Sequence, residues 1–344
     1  MRRYDYSFIK ERGIPVDLMS LTNRIEAMKV REQERKKKNP KAFAALESIA
    51  KVESVKGSNA IESIVTTDKR IEEIVSKNSA PLNHNEMEIA GYRDVLNLIH
   101  TNHDSIVLNE DTILSMHRMM MSYTPNGGGA YKKDDNVIVN VDREGRRSVR
   151  FRPVPAGETS ESMEQLILAY IDARDSGLDP LILIPCFVLD FLCIHPFQDG
   201  NGRMSRLLSL LLMYKSGIDV GKYISFEGQI NEFKGSYYES LERSSKGWHE
   251  NANDYIPFIE HFTLVLFTCY RELDMRFTVI GEKRVNKGNR IEGTFSFDPI
   301  SKMEIRRLLP DVSSRTIEAK LSELLKEGKI EKIGTYKDAR YIKK

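Results

Sequence analysis

Twelve consecutive residues concentrate the chemistry of this chain: His195, Pro196, Phe197, Gln198, Asp199, Gly200, Asn201, Gly202, Arg203, Met204, Ser205 and Arg206. An imidazole titrates near neutral pH and is the natural base for drawing a proton from a hydroxyl. A lone carboxylate beside phosphates, here Asp199, is how magnesium is usually held, with water and phosphate oxygens filling its other positions. Gly200, Asn201 and Gly202 permit a bend whose successive amides form a nest for an anion, and a helix starting there adds the positive end of its dipole. Arg203 and Arg206, three apart, project two planar forks from one face of the first helical turns, suited to terminal phosphates. Two cations at that position oppose the dipole, so a ligand is expected to supply the missing negative charge. Such a set can hold a nucleotide's phosphates and also deprotonate an attacking hydroxyl. Phe197 reads as a core anchor for the loop.

The elements that must position this loop are mostly helical. Residues 18–100 are charged, with apolar positions such as Ile71, Ile74 and Val75 at helical spacing, and further helices are expected at 85–100, 111–122, 161–175 and 253–277. The apolar stretch 181–194 leads into His195. Over 181–189 its apolar continuity, with Pro185 inside, leaves strand and helix open by periodicity alone. After the loop-forming run 125–129, residues 137–151 read as a β-hairpin turning at Asp142, Arg143, Glu144 and Gly145. A lone hairpin is marginal unless it packs on something or serves a purpose.

Composition limits the partners. With 52 Lys and Arg against 50 Asp and Glu, the net charge of +2 gives no global field for nucleic acid or membrane. The basic run 31–41 reads as a solvated helix end. Cys186, Cys193 and Cys269 sit in apolar stretches without metal-ligand spacing and suit reduced core thiols. No secretory signal or bilayer-length apolar segment is evident, so a soluble, cytoplasmic protein is expected.

Residues 281–293 have linker composition, and a compact unit follows. Helices at 301–309 and 314–327, the second capped by Ser313 and stopped by Gly328, precede short strands at 329–333 and 339–342. That is the order of a winged helix-turn-helix. Residues 290–344 carry 13 Lys and Arg against nine Asp and Glu. Arg315, Thr316 and Lys320 lie off the apolar face of the second helix, with Lys337 and Arg340 at the wing. Both DNA binding and a protein-docking role remain open for this unit.

Residues 195–206 resemble the His-Pro-Phe-x-Asp/Glu-Gly-Asn-Gly-Arg-x-x-Arg signature of the Fic (Fic/Doc) family, matching at every fixed position, and looser similarity runs from about residue 51 to 270. The resemblance implies a mainly α fold, a Fic-type helical bundle with a β-hairpin flap, here followed by the winged helix. It divides the chain into an N-terminal helical region at 1–105, a catalytic core at 106–280 and the linker and winged helix at 281–344. It also implies a helix at 181–189, bent near Pro185. The activity implied is adenylyl transfer, moving AMP from ATP to a serine, threonine or tyrosine hydroxyl of a protein or of itself and releasing pyrophosphate. Members with altered motifs transfer other phosphate-containing groups, and retention of Asp199 and Gly200 favours AMP.

On the same resemblance His195 is the base and Asp199 the Mg2+ ligand. Gly200, Asn201 and Gly202 cradle the ATP phosphates, Arg203 and Arg206 hold the β and γ groups, and Tyr237 and Tyr238 lie near the adenine. The hairpin is similar to a flap that docks the target segment by strand addition. Upstream, Ser58 and Glu62 share a helix face and resemble the family's inhibitory motif, Ser/Thr-x-x-x-Glu-Gly/Asn, with Ser63 departing at the last position. The implied brake is a pairing of Glu62 with Arg206 that excludes the γ-phosphate. A dimer positioning that brake is compatible with the pattern. The competing readings are a Fic enzyme that moves another phosphate-containing group or removes AMP, and a DNA-binding regulator whose nucleotide site acts as a sensor.

Overall fold

The architecture follows from one helix that is apolar on every side. α8 (Pro180–Ile194) opens with Asp179 accepting a hydrogen bond from Leu181 N and with Pro180 in its first turn, where a missing N–H costs nothing. Every residue from Leu181 to Phe191 is buried, so no polar face marks a period, and the segment is helical through Pro185. The computed structural model describes residues 2–141, 146–280, 291, 294–295, 300–309, 312–333 and 339–343. The expected hairpin turn at 142–145, all of the linker at 281–293 except residue 291, and the wing residue Lys337 lie outside them.

Around α8 pack α7 (Thr159–Asp175), α9 (Asn201–Lys215), α11 (Lys234–Ser245) and α12 (Ile256–Ile280). An outer layer comprises α2 (Val16–Lys38) against α12, and α3 (Pro40–Ile61) against α4 (Asp68–Lys77), α5 (His84–Asn102) and α10 (Phe226–Glu232). α6 (Glu110–Met120) crosses α5. Thr67, Asn83 and Asn109 cap α4, α5 and α6 through their side chains. The basic run is only partly solvated, because Arg31 and Arg35 pair with Asp274 of α12 and Arg35 lies over the Phe277 ring. All three cysteines are free and buried. Among the described residues, no helix is long and apolar enough to cross a membrane.

β1 (Ile138–Val141) and β2 (Arg147–Phe151) form an antiparallel hairpin with a bulge between Ile138 and Val139. Its root is held by Phe151 stacked on His249 and by His249 Nε2 donating to the Arg152 carbonyl at 2.7 Å. A separate apolar cluster organises the C-terminal residues: β3 (Ile300–Ser301), α13 (Lys302–Leu308), α14 (Ser314–Lys326), β4 (Ile330–Ile333) and β5 (Arg340–Lys343), with strand order β3-β5-β4. Ser301 begins the first of these helices as a capping box with Glu304, and the two-residue β3 was not apparent from sequence.

Asp190, the acidic interruption of α8, is fully buried. It accepts hydrogen bonds from Tyr6 Oη (2.9 Å), Trp248 Nε1 (2.6 Å) and Tyr255 Oη (2.9 Å), and pairs with Arg2 at 3.2 Å. Burial pushes its carboxyl upward while Arg2 and the three donors pull it down. Replacing it by alanine strands a buried guanidinium and three buried donors. Asp190→Ala is expected to lower the urea-unfolding free energy by roughly 3–5 kcal/mol.

Candidate active site

Two left-handed backbone turns shape the loop between α8 and α9. His195, the residue closing α8, has φ +52, and Gly200, immediately before α9, has φ +82. The latter is a conformation glycine adopts without a steric penalty. Asn201 pins the loop from within. Its Oδ1 accepts from Phe197 N at 2.9 Å and its Nδ2 donates to Phe197 O at 2.7 Å. The Asn201 side chain is therefore occupied by the loop, and only its main chain remains for an anion. Phe197 is fully buried.

His195 Nδ1 lies 3.3 Å from the Leu192 carbonyl. A carbonyl only accepts, so Nδ1 carries the proton and Nε2 keeps its lone pair. Burial pushes the imidazole down to about 4, against the Leu192 hydrogen bond, which raises it. It is therefore neutral and basic at Nε2 at physiological pH.

Both arginines are buried, and each meets a carboxylate from outside the loop. Arg206 donates through Nε to Ser58 Oγ (2.9 Å) and through Nη2 to Ser58 O (3.0 Å) and Glu62 Oε1 (2.9 Å). Arg203 Nη1 is 2.6 Å from Glu88 Oε2 on α5, and its Nη2 is 3.7 Å from Asp199 Oδ2. The sequence suggested that a ligand would supply the negative charge opposing these cations. In this structure Glu62 and Glu88 supply it. Asp199 is exposed and its Oδ1 accepts from Gly200 N at 2.6 Å.

Glu62 sits at the C-cap of α3, whose last turn is tied down by Lys234 Nζ donating to Ile61 O at 2.6 Å. The next residue, Ser63, has φ +63, which accounts for glycine or asparagine being favoured there. A Cβ on Gly202 would lie 2.2 Å from Glu62 Oε1, so the carboxylate reaches the loop only because residue 202 has no side chain. Two cavities meet at this point. One of 610 Å³ runs past Arg206, Tyr237, Tyr238, Arg150 and hairpin residues Ile138 and Val139. The other, of 350 Å³, is lined by Glu88, Asp199, Gly200, Asn201 and Arg203. Glu62, His195 and Gly202 line both. Tyr238 lines the larger cavity beneath the hairpin, where Arg150 donates to its carbonyl at 3.0 Å, and the more deeply buried Tyr237 also contributes to that wall.

Residues 107–213 match the Fic/DOC family. The chain is 28% identical over 166 residues to protein adenylyltransferase fic-1 of Caenorhabditis elegans, which covers 48% of this chain but only 28% of that protein. A Fic family protein of Desulfovibrio desulfuricans G20 has a similar structure, with TM-score 0.62, 19% identity, and coverage of 96% of this chain and 97% of that one. A Fic domain-containing signaling protein of Bacteroides thetaiotaomicron VPI-5482 superposes with TM-score 0.58 at 19% identity, covering 74% of this chain and 94% of that one. The chain carries a Fic domain.

The Fic loop depends on residues that its motif does not contain. His117 on α6 stacks on Phe197 with ring centroids 3.7 Å apart, donates from Nε2 to Asp199 O at 3.1 Å and accepts at Nδ1 from Gly129 N at 3.0 Å. Lys132 Nζ donates to Ile194 O and Asn136 Oδ1, both at 3.0 Å, and Asn136 Nδ2 donates to Phe197 O at 3.1 Å. Sequence reading missed His117, Lys132, Asn136 and Glu88, because each meets the loop from more than 50 residues away. In the C-terminal unit the exposed Arg315 sits at the start of α14, Lys320 pairs with Glu323 and Arg340 with Glu304, so two of the cations expected to face DNA already have carboxylate partners.

Burial pushes His117, His195 and His261 each down to about 4. In the unfolded chain histidine titrates near 6.5. At these three sites the unfolded state therefore binds more protons between about pH 4 and 6.5, and their contribution to stability rises with pH. Buried Glu32, pushed up to about 8, acts in the opposite sense over the same range, so the histidine contribution is read by difference. Relative to the parent chain, His117→Asn is expected to lose less urea midpoint between pH 7 and pH 5, and an identical pH dependence in the folded variant would contradict a buried neutral imidazole at that position.

Proposed function

We propose that the chain is a protein adenylyltransferase that moves AMP from ATP to a Ser, Thr or Tyr hydroxyl of a target protein or of itself, releases pyrophosphate, and is restrained by Glu62. The observation carrying this reading is His195, oriented by Leu192 and facing the junction of two cavities beside a glycine bend and two guanidiniums. The larger cavity suits the nucleoside, with Tyr238 on its wall, and the smaller suits the phosphates.

In this mechanism the target hydroxyl gives its proton to His195 Nε2 as its oxygen bonds the α-phosphorus, and the bond from that phosphorus to the bridging oxygen breaks. Main-chain amides at Gly200, Asn201 and Gly202, with Arg203 and Arg206, receive the charge of the departing pyrophosphate. Asp199 fits a Mg2+ ion. Its carboxylate is exposed at the smaller cavity, and no group of three metal-ligating side chains occurs among the described residues. Most of the ligands would therefore come from phosphates and water, as this ion prefers. Bound there, the ion would offset the developing phosphate charge.

The hairpin is suited to docking the target as an added strand, since Val139 and Val149 are exposed on a two-stranded sheet. Glu62 supports the restraint by occupying the Arg206 fork at 2.9 Å, so that a γ-phosphate must displace it. The C-terminal helix pair and its sheet are read as an appended winged helix.

A charge-assisted hydrogen bond is worth about 1.5–3 kcal/mol, so Glu62→Gly is expected to raise AMP incorporation by roughly 10- to 100-fold, measured by mass spectrometry after incubation with ATP and Mg2+. Unchanged incorporation in a folded variant removes the restraint from this account. In the same background His195→Ala should lose roughly 100- to 10,000-fold, and full retention of labelling would exclude His195 as the base. Because His195 is already neutral, the rate should be flat between about pH 6 and 8 and fall only as pH approaches the depressed value near 4.

A further inference from the structure

The proposed mechanism gives Glu88 no role, yet it makes the shortest ion pair to the loop's two arginines. Its side chain is 8% exposed and both oxygens are engaged: Oε2 is 2.6 Å from Arg203 Nη1 and Oε1 is 2.9 Å from His84 Nε2, one turn earlier on α5. The Arg203 side chain is 1% exposed, its Nε and Nη1 make no hydrogen bond among the described residues, so that Glu88 holds Nη1 as an ion pair, and its Nη2 is 3.7 Å from the nearest Asp199 oxygen. Arg203, Glu88, Asp199 and Gly200 all line the 350 Å³ cavity.

Glu88 and Glu62 meet their arginines differently. Glu62 is 34% exposed and lies where the two cavities join, in the path of an incoming anion. Glu88 belongs to the smaller cavity alone, and its second oxygen is tied to His84. A fork held at one end leaves its other donors for a ligand and has less side-chain freedom to lose when that ligand arrives. We infer that Glu88 is a positioning residue, which holds Arg203 by Nη1 so that Nη2 and Nε are ready for the phosphate oxygens of a triphosphate. This rests on the reading of Arg203 as a phosphate ligand.

The test is calorimetric binding of ATP and of adenosine to the full chain carrying Glu62→Gly, alone and with Glu88→Gln, Arg203→Gln or both. Glutamine keeps the shape and removes the charge. Glu88→Gln is expected to weaken ATP roughly tenfold while adenosine stays within about twofold, and to add nothing once Arg203→Gln is present. His84→Ala, at an exposed position where folding is not at stake, should shift ATP in the same direction by about threefold and spare adenosine. Equal weakening of adenosine and ATP would make Glu88 merely structural, and additive effects of the two glutamines would separate it from Arg203; either overturns the inference. If Arg203→Gln weakens ATP but Glu88→Gln and His84→Ala do not, the inference fails while the functional reading stands. If Arg203→Gln leaves ATP unchanged, both fall.

Discussion

Two guanidiniums buried beside one glycine-rich bend are the constraint on which the rest of this structure depends. Arg203 and Arg206 are 1% and 2% exposed, and a cation withdrawn from water to that degree requires an anion within contact distance. The protein answers with one carboxylate from α5 and one from the end of α3. Much of the N-terminal helical layer thereby acquires a purpose, because α3, α4 and α5 are mutually packed and two of them end or pass at the loop. Arg70 on α4 binds Glu86 at 2.8 Å, two residues from Glu88, and Glu86 also accepts from Thr66, four residues beyond Glu62. Glu86 thus joins α5 to α4 and to the segment that follows Glu62.

The loop itself is held from three directions. α8 delivers His195 at the end of a helix that has no solvent face, and the Asp190 cluster fixes that helix one turn earlier. From α6, His117 grips the main chain at Asp199, while the 129–136 segment grips it at residues 194–197 through Lys132 and Asn136. Because the same segment leads into β1, the hairpin and the loop share a common footing. Geometry for an in-line displacement demands placement of this order, since small misplacements at a reacting centre are costly in rate.

The motif from His195 to Arg206 could be read directly because its groups are adjacent in the chain, and Ser58 and Glu62 because helical spacing puts them on one face. Helices with a wet and a dry side, such as α4 and α14, announced themselves by period. α8 did not, since a helix buried all round has no contrast to reveal its pitch. Glu88, His117, Lys132 and Asn136 were illegible for a different reason. A glutamate on an amphipathic helix looks solvated until its partner, 115 positions later, is brought to it by the fold. Arg2 was hidden likewise, lying in a polar N-terminal sequence yet ending against Asp190 and Trp248. The departure at Ser63 became interpretable only when its backbone angle was known.

The contact between Glu62 and the bare backbone of Gly202 has an evolutionary corollary. The hollow left by the missing side chain admits the carboxylate, and the same hollow is the seat assigned to the rival phosphate. A methyl group there would evict both tenants at once. Under the proposed function, a substitution at residue 202 that removed the Glu62 contact would also fill the phosphate cradle, whereas changes on the α3 side of the contact would leave it open.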